Sequence, residues 1–355
     1  MSSARDHTKV RVTHRLLRRA FATIVCLLGP VTVYAADELR VEAIVPLGEI
    51  SGRIDHLAAD LGRRRLYVAE LGNDSVGVID VTTRSSIRTL TGFDEPQGIG
   101  YDPASDTVYV ANGDGSLRCY SGDTLEQRAR IELGTDADNV RVTPTSKSIM
   151  VGFGSALALV DARSHVVRTI RLGGHPESFQ FDPTSNRVFV NVPTLRSVEV
   201  INLRDEHVLR MAIPIPGANF PMAFDESGTL ILPLRHPAKL LELDIDDPQG
   251  RTHSTDVCED ADDVFIDARR NRAYVSCGDG HVDVFERAPT GFTRTGQIKT
   301  AHGARTSLFV PEWDRLFVAV PASADTPAAI WIMAPAASTR QKDQPSGLAL
   351  ATPLT

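Results

Sequence analysis

The chain repeats itself about every 42 residues, and a period of that length restricts it to architectures that stack one small supersecondary unit many times. The marker is a short apolar strand opened by an aromatic residue and Val: Tyr67-Val68, Tyr109-Val110, Phe189-Val190, Tyr274-Val275 and Phe317-Val318. Ile149-Met150-Val151 and Leu230-Ile231-Leu232 fill the two gaps at the same spacing, which makes seven copies.

Before most markers an Asp closes another short strand, at Asp60, Asp102, Asp182, Asp225 and Asp267, where its carboxylate can accept local backbone N–H bonds and start a tight turn. After the markers come turns such as Gly72-Asn73-Asp74, Gly113-Asp114-Gly115 and Gly278-Asp279-Gly280, each followed by an alternating strand. A fourth strand follows, as at residues 86–90 and 166–170. Helical periodicity is absent after the first 35 residues. Four short strands per repeat make one propeller blade, so residues 36–335 are expected to form an all-β, seven-bladed β-propeller of four-stranded antiparallel blades. Residues 41–47 look like a fourth strand but precede the first copy, and the last copy ends near Pro335 after three. The N-terminal strand is therefore expected to complete the last blade, which pairs two edges that would otherwise stay open. The tail, residues 336–355, is rich in Ala, Ser, Pro, Thr and Gln and is expected to be disordered.

The Tyr109-Val110-Ala111-Asn112 stretch and its relatives resemble the YVTN family of β-propeller repeat proteins, over roughly residues 40–335. The resemblance implies an exported, bacterial-type binding or surface propeller and implies no single shared reaction.

Arg5, Lys9, Arg11, Arg15, Arg18 and Arg19 precede an apolar run over residues 20–33, which ends in Val33-Tyr34-Ala35-Ala36. This reads as a secretory signal peptide, residues 1–35, cleaved near Ala35. Gly29-Pro30 interrupts the run, which is shorter than a membrane span requires. Arg18-Arg19-Ala20-Phe21 has twin-Arg spacing, but Leu17 stands where a small polar residue belongs, so the export route stays open. The mature chain is expected to be a periplasmic or secreted monomer with no membrane span. Removing the leader's six Lys/Arg and one acid leaves 32 basic against 44 acidic side chains, which speaks against nucleic acid and anionic membranes as partners.

Cys26 would leave with the leader, and an odd three cysteines remain. Cys258 lies just before an inner strand and Cys277 just after the antiparallel strand beside it, so a Cys258–Cys277 disulfide is expected at one end of blade six. Cys119 aligns with Val78, Leu159 and Val200 on the third strand and is expected to be a buried free thiol.

In a propeller the leading residues of the innermost strands converge on one mouth of the central channel. Alignment superposes Asp55-His56, Gln97-Gly98, Asp138-Asn139, Glu177-Ser178, Phe220-Pro221, Asp262-Asp263 and Arg305-Thr306. The polar members, Asp55, His56, Gln97, Asp138, Asn139, Glu177, Ser178, Asp262, Asp263 and Arg305, are the candidate ligand-binding residues. Four of the leading residues are acids, whose repulsion must be relieved by Arg53, His56 and Arg305, by water, or by a bound cation. The bland reading is that such residues cap backbone groups at strand starts. The sharper reading is a ligand or metal site, for which a hard cation such as Ca²⁺ suits carboxylates and carbonyls better than Zn²⁺ suits a lone His. His175 and His302 are loop histidines expected to be solvated, and Trp313 and Trp331 are expected to pack.

Two functions compete. One is a non-enzymatic exported propeller that binds a small ligand or a protein at the channel mouth. The other resembles the propeller lactonases, with Asp55, Asn139, Glu177 and Asp262 holding a divalent cation that polarises an ester. That resemblance implies six blades where seven are counted. No haem-attachment, nucleophile-elbow, Walker or His-Glu-x-x-His motif occurs.

Overall fold

The computed structural model describes residues 38–143, 148–215, 217–225, 227–247 and 252–336. The leader and the tail beyond Ala336 lie outside the described residues. Seven four-stranded antiparallel sheets are arranged in a ring, with only two short 3₁₀ turns among the described residues. Blade one comprises Leu57–Asp60, Arg65–Glu70, Ser75–Asp80 and Ser85–Thr91, ordered from the channel outward. The inner strands of blades two to seven are Pro96–Asp102, Ala137–Thr143, Phe179–Asp182, Ala223–Phe224, Ala261–Asp267 and Ser307–Val310. Leu39–Pro46 is the outermost strand of blade seven, antiparallel to Ala329–Pro335, so both ends of the described chain share one sheet.

The repeat markers are the second strands, and their burial explains the pattern. Tyr67 and Val68 are both fully buried, as are their counterparts Tyr109-Val110, Phe189-Val190, Tyr274-Val275 and Phe317-Val318. Successive side chains of a strand point to opposite faces, and here each face meets a neighbouring blade. Tyr67 packs toward blade two and Val68 toward blade seven. The core is accordingly divided into seven apolar clusters, one for each pair of adjacent blades. Fourth strands face water: in Ser85–Thr91 only Leu90 is buried.

The Asp residues that end the inner strands act as turn caps. Asp60 accepts the Arg63 N–H at 3.0 Å, Asp102 the Ala104 N–H at 3.0 Å, Asp182 the Thr184 N–H at 2.9 Å, and Asp225 the Ser227 N–H at 2.9 Å. Cys258 and Cys277 form a disulfide within blade six, closing a loop of 19 residues' separation that contributes about 3 kcal/mol by restricting the unfolded chain. Cys119 is a buried free cysteine whose thiol burial pushes up to about 12. Trp313 sits in the turn before Arg315–Val320 and meets Phe317 edge to face at 5.7 Å.

Candidate functional site

Three of the seven inner strands break their register at the channel mouth. The irregularities fall between Pro96 and Ile99, between Ala137 and Val140, and between Ala261 and Asp263. A β-bulge inserts a residue and re-aims side chains, so consecutive residues can face the same space. Asp138 with Asn139, and Asp262 with Asp263, both line the mouth in this way. In blades one and four the mouth residues precede the strand and continue its pairing: Asp55 N–H donates to Ala69 O at 2.7 Å, and Glu177 N–H to Asn191 O at 3.0 Å.

Arg53, Asp55, His56, Asp138, Asn139, Glu177, Ser178, Phe220, Asp262 and Asp263 surround one constriction, contributed by blades one, three, four, five and six. Its space is about 20 Å³, room for one water or one ion. His56, Ser178 and Asp263 also line the top of a channel of about 490 Å³. That volume falls within the range of small-ligand pockets, and the wall mixes apolar side chains, such as Ile99, Val142, Phe181 and Phe265, with polar ones, such as Arg141, Gln180 and Ser307.

Blade two contributes no side chain to the constriction. Gly98 leaves room for His56 of blade one and Asn139 of blade three to meet across it, Nε2 to Nδ2 at 3.0 Å. Gln97 turns away and donates to Asp136 at 3.3 Å. Arg305 also stays outside the lining. It pairs with Asp260 at 2.9 Å and approaches Asp262 at 3.9 Å. Two residues that no inner-strand alignment contains complete the arrangement. Arg235, just past the second strand of blade five, bonds Asp262, donates to Ala261 O at 3.0 Å and lies 3.6 Å over the Phe220 ring. His175 is not a solvated loop residue. Its Nδ1 lies 2.9 Å from Gly154 O and its Nε2 lies 3.7 Å from Asp138 Oδ2. His302 is exposed.

The charges are unevenly compensated. Arg53 contacts Asp55 at 2.8 Å, yet burial pushes the Asp55 carboxyl up to about 8. Burial and the nearby Asp138 push Glu177 up to about 7. Asp138 is buried as well, but His175 and His56 beside it hold it below the usual carboxylate range, and His175 is itself pushed up to about 9 by Asp138. The constriction can thus take up positive charge by exchanging protons for a cation. Of the four residues aligned as metal ligands, Asp55 is engaged by Arg53 and Asp262 by Arg235. Asp138, His175 and Glu177 instead bring one ligand atom each within 4.8 Å of one another.

Asp263 makes stability depend on pH. It is 7% exposed, accepts the Ser307 N–H at 2.8 Å, and is faced by His56, Asp262 and Arg141. Burial pushes its carboxyl up to about 7 from 3.8. A carboxyl raised in the fold stays protonated there, so its contribution is full below about pH 4 and is lost as pH rises through about 7. The loss over that window is on the order of 4 kcal/mol. Asp263→Asn keeps an acceptor for Ser307 and removes the titration. In urea unfolding from about pH 4 to about pH 8, the wild type is expected to lose stability that the variant retains, and parallel curves would refute this assignment.

No protein-family model matches the chain, and no curated protein matches it in sequence. Solved structures do match in fold. A chain of the "Crystal Structure of Mitotic Checkpoint Complex" superposes with a TM-score of 0.71 at 13% identity, covering 91% of this chain and 98% of that one. A chain of "Kuenenia stuttgartiensis Hydrazine Synthase" superposes with a TM-score of 0.66 at 12% identity, covering 81% and 96%. At such identities the likeness is one of architecture: the chain is an all-β, seven-bladed propeller.

Proposed function

We propose that this chain is an exported propeller of the YVTN kind that binds a small ligand at its channel mouth, the ligand's body in the channel and its polar head against the constriction. The observation that carries the reading is the meeting of side chains from five blades above a channel of about 490 Å³ lined by both apolar and polar side chains. Export is supported by the leader and by a disulfide, which suits an oxidising compartment. Among the described residues no helix is long and apolar enough to cross a membrane. The lactonase reading has less support, since two of its four ligands are already held by arginines.

The reading is tested by thermal shift of the full mature chain against small molecules that combine an apolar body with an amine or carboxylate head. A stabilising compound is expected to lose its effect in Ala59→Leu, which narrows the channel, and to keep it in Val166→Ser on an exposed outer edge. A shift unchanged by Ala59→Leu, or no stabilising compound in the panel, counts against the reading.

A further inference from the structure

We propose that Asp138, His175 and Glu177 hold one divalent cation of the borderline class, such as Zn²⁺ or Co²⁺, at the constriction. The inference rests on the reading of the channel mouth as the binding site and names an ion that site takes.

The first support is geometric. The three residues each offer an oxygen or ring nitrogen, and the three atoms lie within 4.8 Å of one another. They come from two adjacent blades and are held by backbone pairing: Glu177 N–H donates to Asn191 O, and Asp138 belongs to the bulged start of Ala137–Thr143. The histidine is oriented as metal-ligating histidines are. Nδ1 donates to the Gly154 carbonyl at 2.9 Å and also lies 3.5 Å from Asp136, which turns Nε2 toward the interior, where a metal ion can replace its proton. Nε2 then faces Asp138 Oδ2 at 3.7 Å, too far for a hydrogen bond. The place between the two calls for positive charge, either a proton on Nε2 or a metal ion that takes the proton's place.

The second support is independent of the trio. Asn139 is 2% exposed, lines the same constriction, and its Oδ1 has no hydrogen-bond partner. A buried acceptor left empty is costly. An ion in the space of about 20 Å³, or a water bound to that ion, supplies its partner. His56 Nε2 accepts the Asn139 Nδ2–H at 3.0 Å, which commits the amide nitrogen and leaves Oδ1 as the group in need of a partner.

The donor set chooses the metal. One imidazole nitrogen with two carboxylates suits the borderline divalent ions, whereas Ca²⁺ seeks six to eight oxygens. Cys258, Cys277 and Asp279 are equally close together, but their sulfurs are joined in the disulfide and cannot ligate.

The test uses the full mature chain without a polyhistidine tag, stripped with EDTA and titrated with Co²⁺, whose visible absorption reports nitrogen and oxygen ligation. We expect one Co²⁺ per chain, displaced by Zn²⁺ and not by equimolar Ca²⁺. His175→Ala and Glu177→Gln are each expected to weaken binding by about 100-fold or more, at or beyond the top of the range for residues that merely orient ligands. His281→Ala, a histidine beside Asp279 on blade six, is expected to bind as the wild type does. Should His175→Ala fail to fold, the near-isosteric Glu177→Gln decides. No uptake, uptake unchanged in the folded trio variants, or uptake of Ca²⁺ in preference to Co²⁺ would overturn the proposal. A chain that takes no Co²⁺ yet responds to an organic ligand through Ala59 loses the metal and keeps the ligand site. A chain that responds to neither loses both.

Discussion

Deletion of residues 38–46 is expected to abolish the soluble monomeric propeller. The strand Leu39–Pro46 pairs along its length with Ala329–Pro335, and its buried side chains serve two different interfaces. Leu39 belongs to the apolar cluster between blades six and seven, Val45 to the one between blades seven and one. Each buried aliphatic side chain contributes about 1.5–3 kcal/mol. Glu38 pairs with Arg272, a guanidinium only 1% exposed that also holds Glu286 at 2.8 Å and donates to Ala336 O at 3.1 Å. Taking a partner from a buried charge costs about 3–5 kcal/mol when none replaces it, and here Glu286 recovers part of that. The sum reaches the whole stability of an ordinary domain, about 5–15 kcal/mol. The deletion also bares Ala329–Pro335, an apolar edge open to pairing with other chains. Gel filtration and urea unfolding would show aggregated or unfolded protein. A monomer with the wild-type urea midpoint would refute the role assigned to the closure.

The architecture was legible because propeller packing leaves a one-dimensional trace. Second strands are covered on both sides, so they read as unbroken apolar runs and mark each blade whatever the surface residues do. Ile149-Met150-Val151 lacks the aromatic and still marks its blade, because both neighbours bury it. Closure was legible by counting: seven markers, three strands after the last, and one spare strand before the first.

The site was legible in outline and not in detail. Alignment of inner strands finds residues that share a height along the channel, which is why Asp55, Asp138, Glu177 and Asp262 appear together. It cannot say which of two consecutive residues faces inward, because bulges suspend the period of two on which that inference depends. Gln97 occupies the aligned position and points to Asp136 instead. His175 and Arg235 reach the acids from a loop and from the end of a second strand, positions outside any inner-strand comparison. What would have signalled them is charge balance: four acids at one height demand cations from elsewhere.

Gly98→Ala is expected to destabilise the protein by about 3 kcal/mol or more, at the upper end of overpacking costs, and to abolish binding at the constriction. A Cβ on Gly98 would stand 1.6 Å from the Asp138 carbonyl oxygen, 2.7 Å from its carbon and 2.9 Å from Val140 N. All three are backbone atoms of the neighbouring inner strand, so no rotamer change relieves the clash. The bulge carrying Asp138 and Asn139 must move, or the two blades must part. Displacing it separates Asp138 from His175 and Asn139 from His56, the contacts that define the constriction. The cost is steric and not conformational, and Gly92→Ala makes the contrast. Gly92 has φ of +86° and nothing within 4 Å of an added Cβ, so only backbone strain of about 1–2 kcal/mol is expected, with binding intact. Thermal melts and Co²⁺ titrations on the pair separate the two effects. A Gly98→Ala protein that melts with the wild type and binds like it would show that blades two and three do not meet as described, and the position of Asp138 would have to be explained without them.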